Sequence, residues 1–218
     1  MTFYIAPIVE GQTEAGCIER LLHRVWTELL VAPDRLQVLP PSRGKRDALV
    51  AVEEAGFAAK IEEAFAKLSQ RLRRDAESRG LVLLLVDAED DCPAELGPRL
   101  LAAAQQHRTD ADIACVIAKR MLENWIVAGA SALGGVNGLP DVLPACSDVE
   151  ERGGANWLDR QIRSRNAARK YKKTVDAEAF VKVMALADCR TNAPSFDKLC
   201  RELQARITQL PLQDAGPA

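Results

Sequence analysis

The sequence predicts an α/β fold with a mostly parallel central sheet flanked by helices, followed by a helical C-terminal region. Two observations carry that prediction. Short, continuous apolar runs recur up to Ala118, and most are followed by a stretch whose apolar residues recur at helical spacing. Buried strands separated by helices give parallel pairing through right-handed crossovers. A third observation concerns the strand ends: one run passes from Ile8-Val9 into Glu10, and another from Leu85-Val86 into Asp87.

The first strand is expected over residues 3–9, with Glu10-Gly11 as the turn that ends it. Residues 13–30 place Cys17, Leu21, Leu22, Val25 and Leu29 at helical spacing, with Gln12 or Thr13 near the cap. A short second strand over 36–39 is stopped by Pro40-Pro41, and residues 42–47 read as a polar, basic loop. A long helical stretch follows from about 48 to 78, with a break expected near Gly56. Arg79-Gly80 closes it, and the strand 81–86 comes next.

Residues 90–93 form a loop, 94–107 a helix with Leu96, Leu100, Leu101 and Ala104 inward, and 113–118 a further buried strand. Beyond Ala118 the texture changes. Residues 121–128 read as a helix, 134–140 with Pro144 are turn-rich, and helices are expected over 155 to about 169, 176–187 and 194–207. The division is an α/β core over residues 1–130 and a helical, partly basic region over 131–218 packed on it.

At 218 residues the chain suits one large domain, or a domain with an appendage. Hydrophobic content of 48% with 28% charged residues is that of a globular protein, and no apolar run approaches the roughly 20 residues of a membrane helix. No charged secretory start precedes the first strand, so a cytoplasmic location and no membrane partner are expected. Six cysteines form no CxxC pair, which excludes a zinc ribbon or thioredoxin motif and fits reduced thiols. With His23 and His107 the only histidines, a histidine-rich metal site is excluded and a Ser-His-Asp triad disfavoured.

The chemistry lies in the acids. The carboxyl ends of parallel strands form the edge where open α/β sheets bind ligands. Carboxylates gathered there repel one another unless a hard divalent cation, Mg²⁺ or Mn²⁺, is held between their oxygens. Glu10 sits in a Glu-Gly turn. Asp87 and Glu89 are two apart, so in an extended chain they point the same way and share a cation, with Asp90 supplying a further oxygen. Asp91 is read as an ordinary loop acid. Arg43, Lys45 and Arg46 lie in the loop after the second strand, as phosphate clamp or solvated loop.

Net charge is −2, but between Arg152 and Lys173 eight basic residues face one acid, Asp159. That stripe, including Arg163, Arg165, Arg169, Lys170, Lys172 and Lys173, either tracks a phosphate backbone or is a solvated helix face. Trp26 and Trp125 are read as core, and Trp157 as either core or a base-stacking platform.

Val9-Glu10-Gly11-Gln12-Thr13-Glu14, followed by an apolar strand ending in Asp87-Ala88-Glu89, resembles the Toprim domain of topoisomerases, bacterial primases and OLD-family nucleases. The resemblance implies a Toprim-like Rossmannoid core. In it Glu10 matches the acid/base or metal-proximal glutamate and Asp87 the first aspartate of an Asp-x-Asp pair. The second aspartate is matched only by Glu89, a departure that leaves Asp90 as the alternative ligand.

A wider similarity is to small stand-alone bacterial Toprim-like proteins of the RloB-like and OLD-nuclease-like kind. It rests also on Glu123-Asn124-Trp125, on Tyr171 to Thr174 and on the Ser195-Phe196 element. It implies a Mg²⁺-dependent nuclease with Glu10 and Asp87 catalytic, and Glu10, Asp87, Glu89, Asp90 and Glu123 around the metal. It also implies a neighbouring ABC- or OLD-type ATPase and a phage-defence setting. The rival expectations are a catalytically degenerate module that binds nucleic acid or the ATPase, and nucleotidyl transfer.

Overall fold

The computed structural model of the chain describes residues 1–208. Strands β1 (Thr2–Val9), β2 (Arg35–Val38), β3 (Ser42–Arg43), β4 (Arg79–Asp87) and β5 (Ile113–Ala118) form one parallel sheet in the order β2-β1-β4-β5. β3 continues beside β1 where β2 has stopped, with Ile8 opposite Ser42 and Val9 opposite Arg43. This α/β architecture is the one expected. The carboxyl ends of β1, β4 and β5 are therefore neighbours on one edge.

The strands are apolar on both faces because helices cover both. Phe3, Ile5, Leu81, Leu83, Leu85, Ala114 and Val116 turn to one side and Tyr4, Ala6, Ile8, Val82, Leu84, Val86, Cys115 and Ile117 to the other, the period-2 alternation of a strand. The second side is closed by α3 (Ala55–Leu72) and α4 (Pro93–His107), through Phe57, Ile61, Ala64, Leu68, Leu96 and Leu100.

The first side is closed by α1 (Gln12–Arg24) and by the C-terminal helices α5 (Leu122–Ala128), α6 (Gly154–Arg165), α7 (Lys173–Val181), α8 (Leu186–Asn192) and α9 (Pro194–Thr208). One continuous cluster runs from Phe3 and Trp26 through Trp125 and Leu158 to Phe196 and Leu203, so this helical layer shares its core with the sheet. Residues 209–218 of the expected C-terminal region lie outside the described residues.

Four local expectations are corrected. The long helix breaks at residues 51–54, between α2 (Arg46–Val50) and α3, and Gly56 lies inside α3. The loop at 42–47 begins as β3, because Ser42 is fully buried beside β1 and Gly44 N–H donates to Val9 O over 3.0 Å. The helix expected to reach 169 ends at Arg165, where Asn166 leaves the helical region and its side chain accepts the Ala168 N–H over 3.0 Å. The helix expected over 176–187 is two. Ala185 N–H donates to Gly129 O over 3.0 Å instead of continuing α7, and this docks α8 against the end of α5.

All six cysteines are free. Among the described residues no helix is long and apolar enough to cross a membrane.

Candidate functional site

Glu10 follows the last residue of β1, and its Oε1 accepts the Asp87 N–H over 2.7 Å. Gly11 then caps α1, and its N–H donates to Glu14 Oε2 over 2.9 Å. A Cβ on Gly11 would stand 2.5 Å from that oxygen, so the glycine lets Glu14 fold back over the turn. Glu14 is 9% exposed. Asp87 ends β4, and its Oδ1 accepts the Leu122 N–H over 3.1 Å at the start of α5.

Glu123 sits one residue further into α5 and is fully buried. Its Oε1 takes the Tyr171 hydroxyl over 3.4 Å and lies 3.3 Å from Lys173 Nζ. Its Oε2 is buried with no hydrogen-bond partner among the described residues.

Three adjacent strand ends thus bring Glu10, Asp87 and Glu123 into one electrostatic neighbourhood, with Glu14 behind them. Burial pushes the Glu10 carboxyl up to about 7; the Asp87 amide and Arg46 pull it down, while Glu14 and Glu89 push it further up. Asp87 is raised well above the usual range, first by burial and then by Glu10, Glu14 and Glu123, with Lys173 opposing. Buried like charges favour the protonated form. A bound cation removes the same penalty.

The other expected ligands are engaged by arginines at the rim of this group. Glu89 has φ +51°, so the extended geometry that would align it with Asp87 is absent. Its carboxylate is 61% exposed and lies 3.7 Å from Arg46 Nε. Asp90, 91% exposed, accepts from Arg120 Nη2 over 2.6 Å. Among the described residues no three His, Cys, Asp or Glu side chains stand ready-arranged around one ion.

The basic residues divide in the same way. Arg46 donates through Nε to Asp87 O (3.2 Å) and through Nη2 to Ala88 O (3.1 Å), and it also pairs with Asp91. It ties down the acidic loop. Arg163 pairs with Asp159 (2.6 Å), Arg165 with Asp141 (3.1 Å), Arg169 with Asp176 (2.7 Å) and Lys173 with Glu123 (3.3 Å). Arg43, Lys45, Lys170 and Lys172 make no side-chain ion pair among the described residues.

A family model described as a domain of unknown function, DUF4276, matches residues 9–204. The chain belongs to the DUF4276 family. No curated protein matches it. The C-terminal region of the Burkholderia pseudomallei OLD protein is similar in structure, at 14% identity and a TM-score of 0.41 over 94% of this chain and 98% of that one.

In this DUF4276 chain the site also holds Glu14 and Tyr171, neither of them an expected ligand. Glu14 stands three positions after the cap Gly11 in the first turn of α1, the capping-box position, a spacing legible in the sequence. Tyr171 reaches Glu123 from 48 residues away, and no local signal announces it. The Glu123-Asn124-Trp125 element is held from behind. Trp125 Nε1 donates to Ser195 Oγ over 2.7 Å, the Lys119 N–H donates to the same oxygen over 3.2 Å, and Ser195 N–H donates to Glu150 Oε1 over 2.8 Å. Asn124 Nδ2 donates to Val149 O (2.5 Å) and Arg152 O (2.6 Å). Trp157 is buried at 5% exposure, so it packs in the core.

Proposed function

We propose that this chain is a Toprim-type nuclease that hydrolyses phosphodiester bonds with the help of Mg²⁺ or Mn²⁺. The observation that carries the reading is the buried Glu123 Oε2, which has no partner among the described residues, beside the burdened carboxyls of Glu10 and Asp87. A buried carboxylate oxygen without a donor is costly. The three carboxyls offer oxygen alone, and burial pushes the neighbouring Cys17 thiol up to about 12, so it stays protonated and the set suits a hard divalent cation.

Glu10, Asp87 and Glu123 would hold the ion. Glu89 and Asp90 could join only by leaving Arg46 and Arg120. The ion, when bound, supplies charge to a phosphoryl oxygen and lowers the pKa of a bound water. The protein's own residues do the rest. Glu10, with Oε1 engaged by the Asp87 amide, keeps Oε2 either for the ion or to accept and return a proton. Asp87 bridges two elements, since its amide faces Glu10 and its Oδ1 holds the first amide of α5. Arg43, Lys45, Lys170 and Lys172, which make no side-chain ion pair among the described residues, offer cations to a nucleic-acid backbone.

The outward Glu89 and Asp90 favour a second reading, a module that binds nucleic acid or a partner ATPase without cleaving. Incubating the protein with single- and double-stranded DNA and RNA in Mg²⁺, Mn²⁺ or chelator decides between them. Metal-dependent cleavage lost in Asp87→Asn supports the nuclease, and binding indifferent to chelator with no cleavage supports the module. An ABC- or OLD-type ATPase partner and a phage-defence setting belong to the same proposal. Co-purification of such an ATPase with the chain from its native cells tests them.

A further inference from the structure

The loop between α6 and α7, residues 166–172, lies far in sequence from the acidic strand ends, yet it and the first residue of α7 bring two groups to Glu123. Tyr171 donates its hydroxyl to Glu123 Oε1, and Lys173 Nζ lies against the same oxygen. The Tyr171 ring is stacked on Phe180, with centroids 6.2 Å apart and planes 11° from parallel. Burial and the Glu123 charge push the Tyr171 phenol up, so it stays a proton donor.

Two aspartates outside the acidic edge hold this loop by consecutive amides. Asp159 Oδ1, on α6, accepts the Tyr171 N–H over 2.8 Å, while its other oxygen takes Arg163 Nε over 2.6 Å. Asp176 Oδ2, on α7, accepts the Lys172 N–H over 2.8 Å. Its Oδ1 takes Arg169 Nη2 over 2.7 Å and Asn137 Nδ2 over 2.6 Å. The Asp176 carboxylate is 1% exposed, a position that requires every one of these donors. Gly138, at φ +91°, lets the Arg169 guanidinium pass, because a Cβ there would fall 1.7 Å from Nη1. A merely solvated basic loop requires none of this.

We propose that Asp159 and Asp176 are positioning residues that clamp the 166–172 loop, so that Tyr171 and Lys173 hold Glu123 by Oε1 and leave Oε2 to a divalent cation. The proposal rests on the metal-dependent reading above. Groups that hydrogen-bond a ligating carboxylate orient it, and losing one costs about 10- to 100-fold in metal affinity. A clamp acting through those groups stands one step further out, so about 3- to 10-fold is expected.

The test measures Mn²⁺ affinity by electron paramagnetic resonance, and amide hydrogen exchange over residues 166–173, in the wild type and in Asp159→Ala, Asp159→Asn, Asp176→Ala, Tyr171→Phe and Asp159→Ala/Tyr171→Phe. Each alanine variant should free the Tyr171 and Lys172 amides to exchange, leave β1, β4 and β5 protected, and weaken Mn²⁺ binding. Asp159→Asn should restore both readouts, because the Tyr171 amide needs only an acceptor. Tyr171→Phe should weaken Mn²⁺ binding alone yet add nothing in the Asp159→Ala background, since coupled residues are not additive.

A freed loop with unchanged Mn²⁺ affinity, or fully additive losses, overturns the proposal while leaving the metal reading intact. A wild type that takes up no Mn²⁺ overturns the metal reading and the proposal together. If Asp176→Ala fails to fold, the Asp159 variants decide.

Discussion

The amide of Asp87 donates to the Glu10 carboxylate over 2.7 Å, so the last residue of β4 is bonded to the side chain that follows β1. The register behind it is strict, with Ile8 opposite Leu84 in a parallel ladder, and it carries the two acids to within one residue of the same height on the sheet. A one-residue slip would turn every inward side chain of the strand to the opposite face. The packing of both faces therefore sets the acid geometry.

Asp87→Asn should separate charge from shape. The amide oxygen can still accept the Leu122 N–H, while the negative charge that a cation needs is gone. The chelator-treated variant should melt no lower than the wild type, and Mg²⁺ should raise the melting temperature of the wild type only. Equal Mg²⁺ shifts in both would remove this edge as the metal site. Asp87→Ala also loses the acceptor and should cost about 1 kcal/mol.

The metal-free protein should lose stability as pH rises. The Glu10 carboxyl is raised from 4.5 to about 7, and Asp87 is raised as well. The folded state thus binds these protons more tightly than the unfolded state. The Glu10 contribution is fully present below pH 4.5 and is lost as pH climbs through about 7, and Asp87, raised first by burial, acts in the same direction. Glu63, lowered to about 2 first by Lys60 and then by Lys67, acts in the opposite sense and in a separate window, losing its contribution as pH falls through about 2. Melting curves in chelator from pH 5 to 8 should slope down, and Glu10→Gln or added Mg²⁺ should flatten them. A pH-independent wild type would contradict the buried acid pair.

The basic stripe should divide by partner. Lys170→Glu and Lys172→Glu should each flatten the salt dependence of nucleic-acid binding by about one unit, with little change in stability. Arg169→Glu should instead lower stability by about 3 kcal/mol, because it sets a second negative charge against the buried Asp176 carboxylate. Filter binding across a salt series and urea denaturation read the two effects. An Arg169 variant that folds normally but loses slope would return that residue to the binding surface.

Gly154→Ala should displace Glu123 by pressing on its backbone, with the Glu123 side chain left unsubstituted. A Cβ at Gly154 would lie 2.6 Å from Glu123 C and 2.7 Å from Asn124 N, and backbone cannot yield as a side-chain tip does. A loss of about 2–3 kcal/mol with weakened Mn²⁺ binding is expected. At Gly153 the nearest atom is Asn156 Nδ2 at 3.2 Å, the end of a movable side chain. Gly153→Ala should therefore be mild in the same denaturation assay, and a reversed ranking would mean that α6 does not support α5 in this way.

Much of the fold was legible because its signals are local. Unbroken apolar runs at residues 3–9, 81–86 and 113–118 mark strands buried on both faces, and the helical spacing of Cys17, Leu21, Leu22 and Val25 marks the first helix. Helix interruptions were less legible. Gly56 is tolerated inside α3, the break at 51–54 is a local turn in which Glu54 N–H donates to Ala51 O, and the break near Ala185 comes from docking through the Gly129 carbonyl.

The sequence by itself determined that Glu10 and Asp87 stand at strand ends, because a strand ends where its apolar run does. It also determined that Glu123 opens a helix after a third buried strand. Only the tertiary structure decided which charges are spent on one another. Glu89 leaves the extended path and faces Arg46, Arg169 meets Asp176, Arg165 meets Asp141, and Tyr171 with Lys173 crosses to Glu123. Several of these pairs join residues far apart in the chain. Ion pairing acts over a few ångströms of space and is indifferent to sequence separation, so a count of charges cannot foresee it.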